Sequence, residues 1–433
     1  MTGLRVVALV CQWYPPEPVE IPSGIAAALR DQGLVLRVLT GIPNYPSGAV
    51  HDGYAPWSRR RETLDGIEVI RSPLYPSHDA SALRRLLNYG SWAISSSVFG
   101  QRVLRETDVA LVYSSPATAA LPAMVARTLW RTPYVLLVQD VWPDSIFASG
   151  FLSGRWGRQA HNLIDVFVRR AYARAAHIVV TSPGMADLLA RRGVPQNKLT
   201  IIYNWLPEDR SAQPADHDAD LKRALGVPAD SLLFMYAGNH GKAQALDALI
   251  DAFTSDETRP AHLVLMGDGV EKARLIDRAR ASARIHFLDP VPRAEADRLM
   301  VSADVSVVSL ADEPLFAVTM PSKVQSGLAS GRPLLVIARG DAADVVTGSG
   351  AGVAAAPSDP VAIAEAVAKL SATSLHELTL MGRRGLEVYR SQMARDVGAK
   401  RMRAVLRDAA RRSRTAIAGP PDRTAEGSVS EQR

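Results

Sequence analysis

A single cysteine, Cys11, stands in 433 residues. No internal disulfide can therefore staple the fold, and the chain suits a reducing compartment. No apolar run approaches the roughly 20 residues that a membrane-spanning helix needs. The opening MTGLRVVALV runs straight into a strand, without the zones of a secretory leader. The expected location is the cytoplasm, free or attached to the inner face of the plasma membrane. The histidines show no zinc-ligand spacing, and one cysteine cannot build a thiolate site. G-x-S-x-G is missing, which leaves a hydrolase nucleophile elbow unsupported. The first strand leads into Cys11–Pro18 (CQWYPPEP) without a glycine, and no G-x-x-x-x-G-K-[ST] occurs. Hydride transfer and P-loop chemistry are thereby disfavoured. A strong charge of one sign is also lacking: 50 Lys and Arg against 44 Asp and Glu leave +6. That excess suits acidic ligands or an anionic membrane surface, and it is too diffuse for a nucleic-acid partner.

What is present is a rhythm. Near-continuous apolar runs at Leu4–Val10, Leu34–Leu39, Val109–Tyr113, Tyr134–Val138 and His177–Val180 alternate with helical segments at Gly24–Gln32 and Ala119–Leu129. Such strands indicate a parallel sheet covered on both faces. After the polar, proline-broken Pro207–Asp220 the pattern restarts at Ser231–Ala237, Ala261–Met266, Ile285–Leu288, Val305–Ser309 and Leu334–Ile337. The length exceeds one hydrophobic core. The expected α/β organisation is therefore two doubly wound, Rossmann-like domains across a cleft, 1–205 and 226–389, joined by a linker at 206–225. Residues 413–433 read as a disordered tail. The acidic run Asp216–Asp220 (DHDAD) falls in the linker and is read as solvated rather than metal-binding.

The stretch Met320–Ile337 (MPSKVQSGLASGRPLLVI) carries more chemistry. Pro321 suits a helix's first turn, Ser322 can satisfy a neighbouring amide, Gly331 can close the helix, and Pro333 forbids its continuation. A helix start beside Lys323 is a place for an anion. Small-residue loops at Gly238–Gln244 (GNHGKAQ), Gly267–Gly269 (GDG), Leu315–Lys323 and Gly348–Gly352 (GSGAG) are expected to converge with it at the carboxyl ends of strands. Each alone is a steric need of such folds. Together with Pro-Ser-Lys they favour a nucleotide or phosphate site, with Lys242 and Lys323 supplying charge.

The order YPPEP (Tyr14–Pro18), TGIPNYP (Thr40–Pro46), VQDVWPD (Val138–Asp144), TSPGM (Thr181–Met185), YAGN (Tyr236–Asn239), GDG, PSK (Pro321–Lys323) and GRP (Gly331–Pro333) resembles the family 4 glycosyltransferases of the GT-B fold. The likeness is to the bacterial enzymes of capsule, exopolysaccharide or O-antigen synthesis, and it covers roughly residues 4–410. It implies transfer from a nucleotide-diphosphate sugar, with no metal or other cofactor and with retention of anomeric configuration. It places the donor on the second domain and a saccharide or lipid-linked saccharide acceptor on the first, with a last helix at about 390–411 crossing back. Carried residue by residue, it assigns Gly238, Asn239, Gly241, Lys242, Gly267, Gly269, Pro321 and Ser322 to the donor. Lys323 becomes the counter-charge of its diphosphate. Asp140 becomes the catalytic carboxylate, and Glu17, Asn44, Tyr45 and Gln139 line the acceptor side.

The chain departs from the family in places. A Glu-x7-Glu pair in many relatives falls here on about Val318 and Ser326, leaving Gln325 or Ser326 for the donor ribose. A histidine usually before the strand-end aspartate is Gln139. Two readings therefore stay open beside transfer: a nucleotide-sugar epimerase of the same fold, and a non-catalytic nucleotide-sugar-binding subunit. Finally, Ser81–Leu104 and Arg155–Arg170 are basic, amphipathic and aromatic. Their apolar faces are expected mainly to cover the first domain's sheet, and their arginines to meet an anionic membrane.

Overall fold

The computed structural model describes residues 3–78, 81–144, 154–207 and 219–418. They fall into two compact units. The first is Met1–Val179, Asn197–Thr200 and Ala399–Arg433; the second is Val180–Gln196 and Ile201–Gly398.

The first sheet is built from β1 (Val6–Val10), β2 (Val35–Gly41), β3 (Arg60–Leu64), β4 (Ile67–Ser72), β5 (Val109–Ser114), β6 (Tyr134–Val138), β7 (His177–Val180) and β8 (Leu199–Ile201). Its order is β3-β4-β2-β1-β5-β6-β7-β8. Val7–Val10 are fully buried, because β1 lies between two parallel neighbours, β2 and β5, in a sheet covered on both faces. The chain first adds strands on one side of β1 and then on the other, so β1/β5 is a topological switch point. The hairpin β3–β4 is antiparallel. It turns on Asp65-Gly66, both at positive φ (49° and 76°), the dipeptide favoured by such a turn. That turn signal was in plain view, yet no strand was expected there.

The second sheet holds β9 (Leu233–Ala237), β10 (His262–Met266), β11 (Ile285–Leu288), β12 (Val305–Ser309), β13 (Leu334–Ile337) and β14 (Gly352–Ala355). Its order is β11-β10-β9-β12-β13-β14, with parallel pairing throughout. Alternation along β9 sends Phe234 and Tyr236 into one buried cluster and Leu233 and Met235 into another, the two-residue period of a strand filling both faces. Each such side chain contributes about 1.5–3 kcal/mol by leaving water. Here the switch point falls between β9 and β12.

Several expectations are corrected. The segment Gly348–Gly352 precedes β14, so it lies at the amino edge of the sheet, opposite the edge where ligands gather. The helix Arg395–Ala418 runs past the expected start of the tail. Ser413 is buried in the first unit and donates to the Arg131 carbonyl (3.2 Å). Residues 419–433 lie outside the described residues, as do 208–218 of the linker with most of Asp216–Asp220. The helix Ala219–Ala224 begins within the span assigned to the linker.

The largest correction concerns the helix Ala82–Phe99. Asn88, Tyr89, Trp92 and Ser96 pack inward, while Leu83, Leu87, Ile94 and Val98 are 67%, 49%, 63% and 63% exposed. The aliphatic face expected to cover the sheet points out instead, because the polar and aromatic face is the one that fits the loops beneath. On the helix Gly154–Arg174, Leu163 and Val166 also stand exposed.

Candidate active site

In the second unit, the loops leaving β9, β10 and β12 are knitted by their backbones. Gly238 N donates to the Met266 carbonyl (2.9 Å), His240 N to the Asp268 carbonyl (2.8 Å), and Ala311 N to the Ala243 carbonyl (2.9 Å). The Ser309 hydroxyl adds a bond to the Gln244 carbonyl (2.7 Å). Two glycines make this closeness possible. A Cβ on Gly267 would sit 2.0 Å from the Gly238 oxygen, and one on Gly238 would sit 2.7 Å from Lys323 Nζ; their φ values are +139° and +138°. Only glycine fits either position.

Helix Ser322–Ala329 starts at this cluster. Pro321 is its cap residue, one place earlier than expected, and the cap makes no side-chain bond. Ser322 opens the helix and is exposed. The first-turn amides of Ser322 and Lys323 have no carbonyl one turn earlier to bond, so they carry the positive end of the helix dipole. Gly331 closes the helix region at φ +67°, as the sequence suggested.

Lys323 lies against Tyr236, its ammonium 4.1 Å from the ring centroid and donating to the Tyr236 hydroxyl. That hydroxyl donates in turn to the Asn239 carbonyl (2.7 Å). Burial depresses the Lys323 pKa to about 8, because a desolvated ammonium is disfavoured. Burial likewise raises the Tyr236 phenol. It pushes the buried His240 imidazole down, with Lys272 and Lys323 adding to the effect.

Of the residues assigned to a donor, Gly238, Gly267 and Lys323 therefore meet, Gly269 lies against the His240 carbonyl, and Pro321 and Ser322 begin the helix that carries Lys323. The Asn239 side chain, exposed, donates to Gln244 Oε1 (3.3 Å), which also accepts from Gly241 N (3.2 Å). Lys242 is exposed. Gln325 is buried with its amide nitrogen unpartnered, and the Ser326 hydroxyl turns back to the Ser322 carbonyl (3.0 Å). Tyr236, the first residue of the YAGN stretch and given no role from the sequence, holds the lysine.

In the first unit, a cavity of about 330 Å³ opens at the β1/β5 switch point, lined by Trp13, Tyr45, His78, Arg85, Tyr113 and Ser115 among others. Its wall is aromatic: Trp13 and Tyr45 centroids are 5.2 Å apart, and Tyr45 and His78 4.7 Å apart. Asp140 follows β6 and is exposed, accepting from the Ser115 hydroxyl at 2.7 Å. Gln139 beside it is half-buried. Burial raises the Tyr113 phenol, and Asp140 pushes it further.

Glu17 and Asn44 correct the expectation that they face the acceptor. Glu17 is buried and accepts from the amides of Tyr14 (3.0 Å), Asn44 (2.9 Å) and Tyr45 (2.9 Å). Burial raises its carboxyl while the three amides and Arg71 pull it back. Asn44, also buried, donates to the Ile42 carbonyl and accepts from Asn88, which is itself bonded by Gln12. Fully buried Arg71 bonds the carbonyls of Gly41 and Pro15. These groups fix the two loops that present Trp13 and Tyr45; an unpaired amide here would cost desolvation, so the side chains turn in.

Two family models match the chain: a glycosyl transferase 4-like domain over residues 21–205 and glycosyl transferases group 1 over residues 231–373. The chain is 30% identical over 251 residues to a putative colanic acid biosynthesis glycosyl transferase, WcaI, of Escherichia coli, a match spanning 57% of this chain and 61% of that protein. It is 26% identical to the probable glycosyltransferase WbjE of Pseudomonas aeruginosa, over 63% of this chain and 68% of that protein. Among solved structures it resembles sucrose-phosphate synthase from Thermosynechococcus elongatus (TM-score 0.70, 16% identity, 93% of this chain and 98% of that one). It also resembles Anabaena HepE in complex with UDP-glucose (TM-score 0.64, 16% identity, 93% and 99%). The structural likenesses speak to the fold, and the sequence matches to the lineage. The chain belongs to the family 4 glycosyltransferases, of the GT-B fold.

Proposed function

We propose that the protein transfers a sugar from a nucleotide-diphosphate sugar, held by the second unit, to a saccharide carried on a polyprenyl diphosphate, held by the first. The product would be part of a cell-surface polysaccharide, formed with retention and without a metal. The observation that carries this reading is Lys323, its ammonium beside Gly238 at the open first turn of Ser322–Ala329. When the bond from the anomeric carbon to the diphosphate oxygen breaks, its electron pair stays on the diphosphate. Lys323 and the first-turn amides stabilise that charge as it develops. The acceptor oxygen bonds to the carbon and passes its proton to the departing diphosphate oxygen. Asp140, oriented by Ser115, takes a hydrogen bond from the acceptor or steadies positive charge at the carbon. The WcaI name supports the polysaccharide setting, and the UDP-glucose complex of HepE supports the donor class.

The test is incubation with a panel of nucleotide sugars and membrane lipid extract. Sugar should enter a lipid-linked product, and Lys323→Ala and Asp140→Ala should each lower turnover by about 100-fold or more while remaining folded. Donor isomerisation, or binding without turnover, would replace this reading by an epimerase or a non-catalytic subunit.

A further inference from the structure

We infer that Tyr236 is a positioning residue for the transfer step, holding Lys323 at the diphosphate while leaving the charge of its ammonium uncancelled. The inference rests on the proposed reaction. Tyr236 is fully buried, next to last on β9. Its ring carries the Lys323 ammonium 4.1 Å from the centroid, and its hydroxyl accepts a hydrogen bond from that same ammonium. The hydroxyl hydrogen then goes to the Asn239 carbonyl (2.7 Å). One phenol thus joins the first turn of Ser322–Ala329 to the loop leaving β9. It does so where the two come close: a Cβ on Gly238 would stand 2.7 Å from the lysine Nζ and 3.8 Å from the phenol oxygen.

Among the described residues no carboxylate pairs with Lys323. Its hydrogen-bond partner there is the phenol, and burial alone displaces its pKa. A lysine desolvated this far ordinarily keeps an anion beside it. Here the ring quadrupole and a hydroxyl lone pair supply the attraction, and neither bears a formal charge. An Asp or Glu in the same place would neutralise the ammonium and repel a diphosphate. Burial raises the phenol pKa, so Tyr236 stays un-ionised where the lysine titrates. The His240 ring, 6.0 Å from that of Tyr236, is held below the ordinary histidine value by burial and by Lys272 and Lys323, and adds no charge near neutral pH.

A tyrosine that only filled the core would need neither contact, since phenylalanine fills the space without a hydroxyl to satisfy. Placement matters most as the bond breaks. The diphosphate is already charged in the ground state, and a lysine on a flexible stem can reach it there. The charge that develops on the departing oxygen needs the ammonium at one spot. Loss of the phenol hydroxyl should therefore fall on kcat more than on the donor KM.

Steady-state kinetics of the full chain tests the inference, on whichever nucleotide sugar of the panel the wild-type protein turns over with lipid extract. Tyr236→Phe keeps the ring and removes the hydroxyl. It should lower kcat about tenfold and change the donor KM by less than about threefold. In a Lys323→Ala background the same substitution should alter kcat by under about twofold, because nothing is left to position. 3-Fluorotyrosine at position 236 keeps the shape and both hydrogen bonds while weakening ring and hydroxyl as partners of a cation. It should lower kcat in a chain that folds as the wild type does. The inference falls if Tyr236→Phe and the fluorotyrosine protein both turn over at the wild-type rate. It also falls if Tyr236→Phe costs as much in the Lys323→Ala background as in the wild type. Full activity of Lys323→Ala, or no turnover of any donor, overturns the proposed reaction itself. A fully active Tyr236→Phe beside an impaired Lys323→Ala overturns the positioning alone.

Discussion

At pH 8 about half of the Lys323 side chains in the ligand-free protein are uncharged, because burial has brought the pKa to about 8. A diphosphate arriving beside the ammonium restores the charged form. Binding of an intact nucleotide sugar must then take up a proton: about 0.5 at pH 8, ~0.1 at pH 7 and ~0.9 at pH 9, if the complexed lysine regains its ordinary value. The sign follows from the free pKa being the lower of the two. Affinity is full below about pH 8 and is lost as pH rises through it. Between pH 7 and pH 9 the Kd should therefore rise about tenfold, equivalent to ~1.4 kcal/mol. Calorimetry in buffers of low and high ionisation enthalpy reads the proton count directly. Using the sugar diphosphate rather than the free nucleotide avoids a terminal phosphate titrating near pH 6. Lys323→Ala should bind weakly with no buffer dependence. Lys323→Arg, permanently charged, should lose the pH dependence while keeping more affinity. Equal heats in both buffers for the wild-type protein at pH 8, or proton uptake surviving in Lys323→Ala, would refute the placement of the diphosphate at this lysine.

Two further outcomes follow from buried groups. Glu17→Ala strips the acceptor from three backbone amides and should cost about 2–4 kcal/mol in denaturant unfolding. It should also raise the acceptor KM and spare nucleotide-sugar binding; a loss under about 0.5 kcal/mol would show the amides satisfied without it. His240, His262 and His286 are all held below the ordinary histidine value by burial, so the unfolded chain protonates first. Stability should be level above about pH 6.5 and fall as pH drops below it. His262→Gln with His286→Gln, removing the stacked pair on β10 and β11, should flatten the fall of melting temperature between pH 7 and pH 5. An unchanged slope would relieve the pair of that role.

Much of this molecule was legible because its signals are local. The apolar runs of β1, β5, β6, β9, β10 and β12 declare buried parallel strands over a few residues each. Proline, serine and glycine around 321–333 bracket a helix through their own backbone preferences. Lys323 was found because its neighbours in sequence make the anion site with it. Tyr236 was not, since a tyrosine at a strand end reads as core until the lysine laid over it is seen. Glu17 misled in the other direction. A carboxylate in a proline-rich loop suggests a ligand, and only the arrival of the 42–46 loop, supplying two of its three amides, turns it inward.

The order of apolar and polar residues along the chain determined two doubly wound sheets, their helices, and the glycines that let the β9 and β10 loops touch. Strand order was decided in three dimensions, since β5 chooses the far side of β1, and β12 the far side of β9, through contacts distant in sequence. That choice created both switch points and placed the lysine and the aromatic cavity at them. It sent Gly348–Gly352 to the opposite edge, and it left Leu83, Leu87, Ile94 and Val98 of Ala82–Phe99 facing outward. A helix repeats every 3.6 residues whichever face is covered, so its sequence carries two apolar stripes without saying which one the sheet will take.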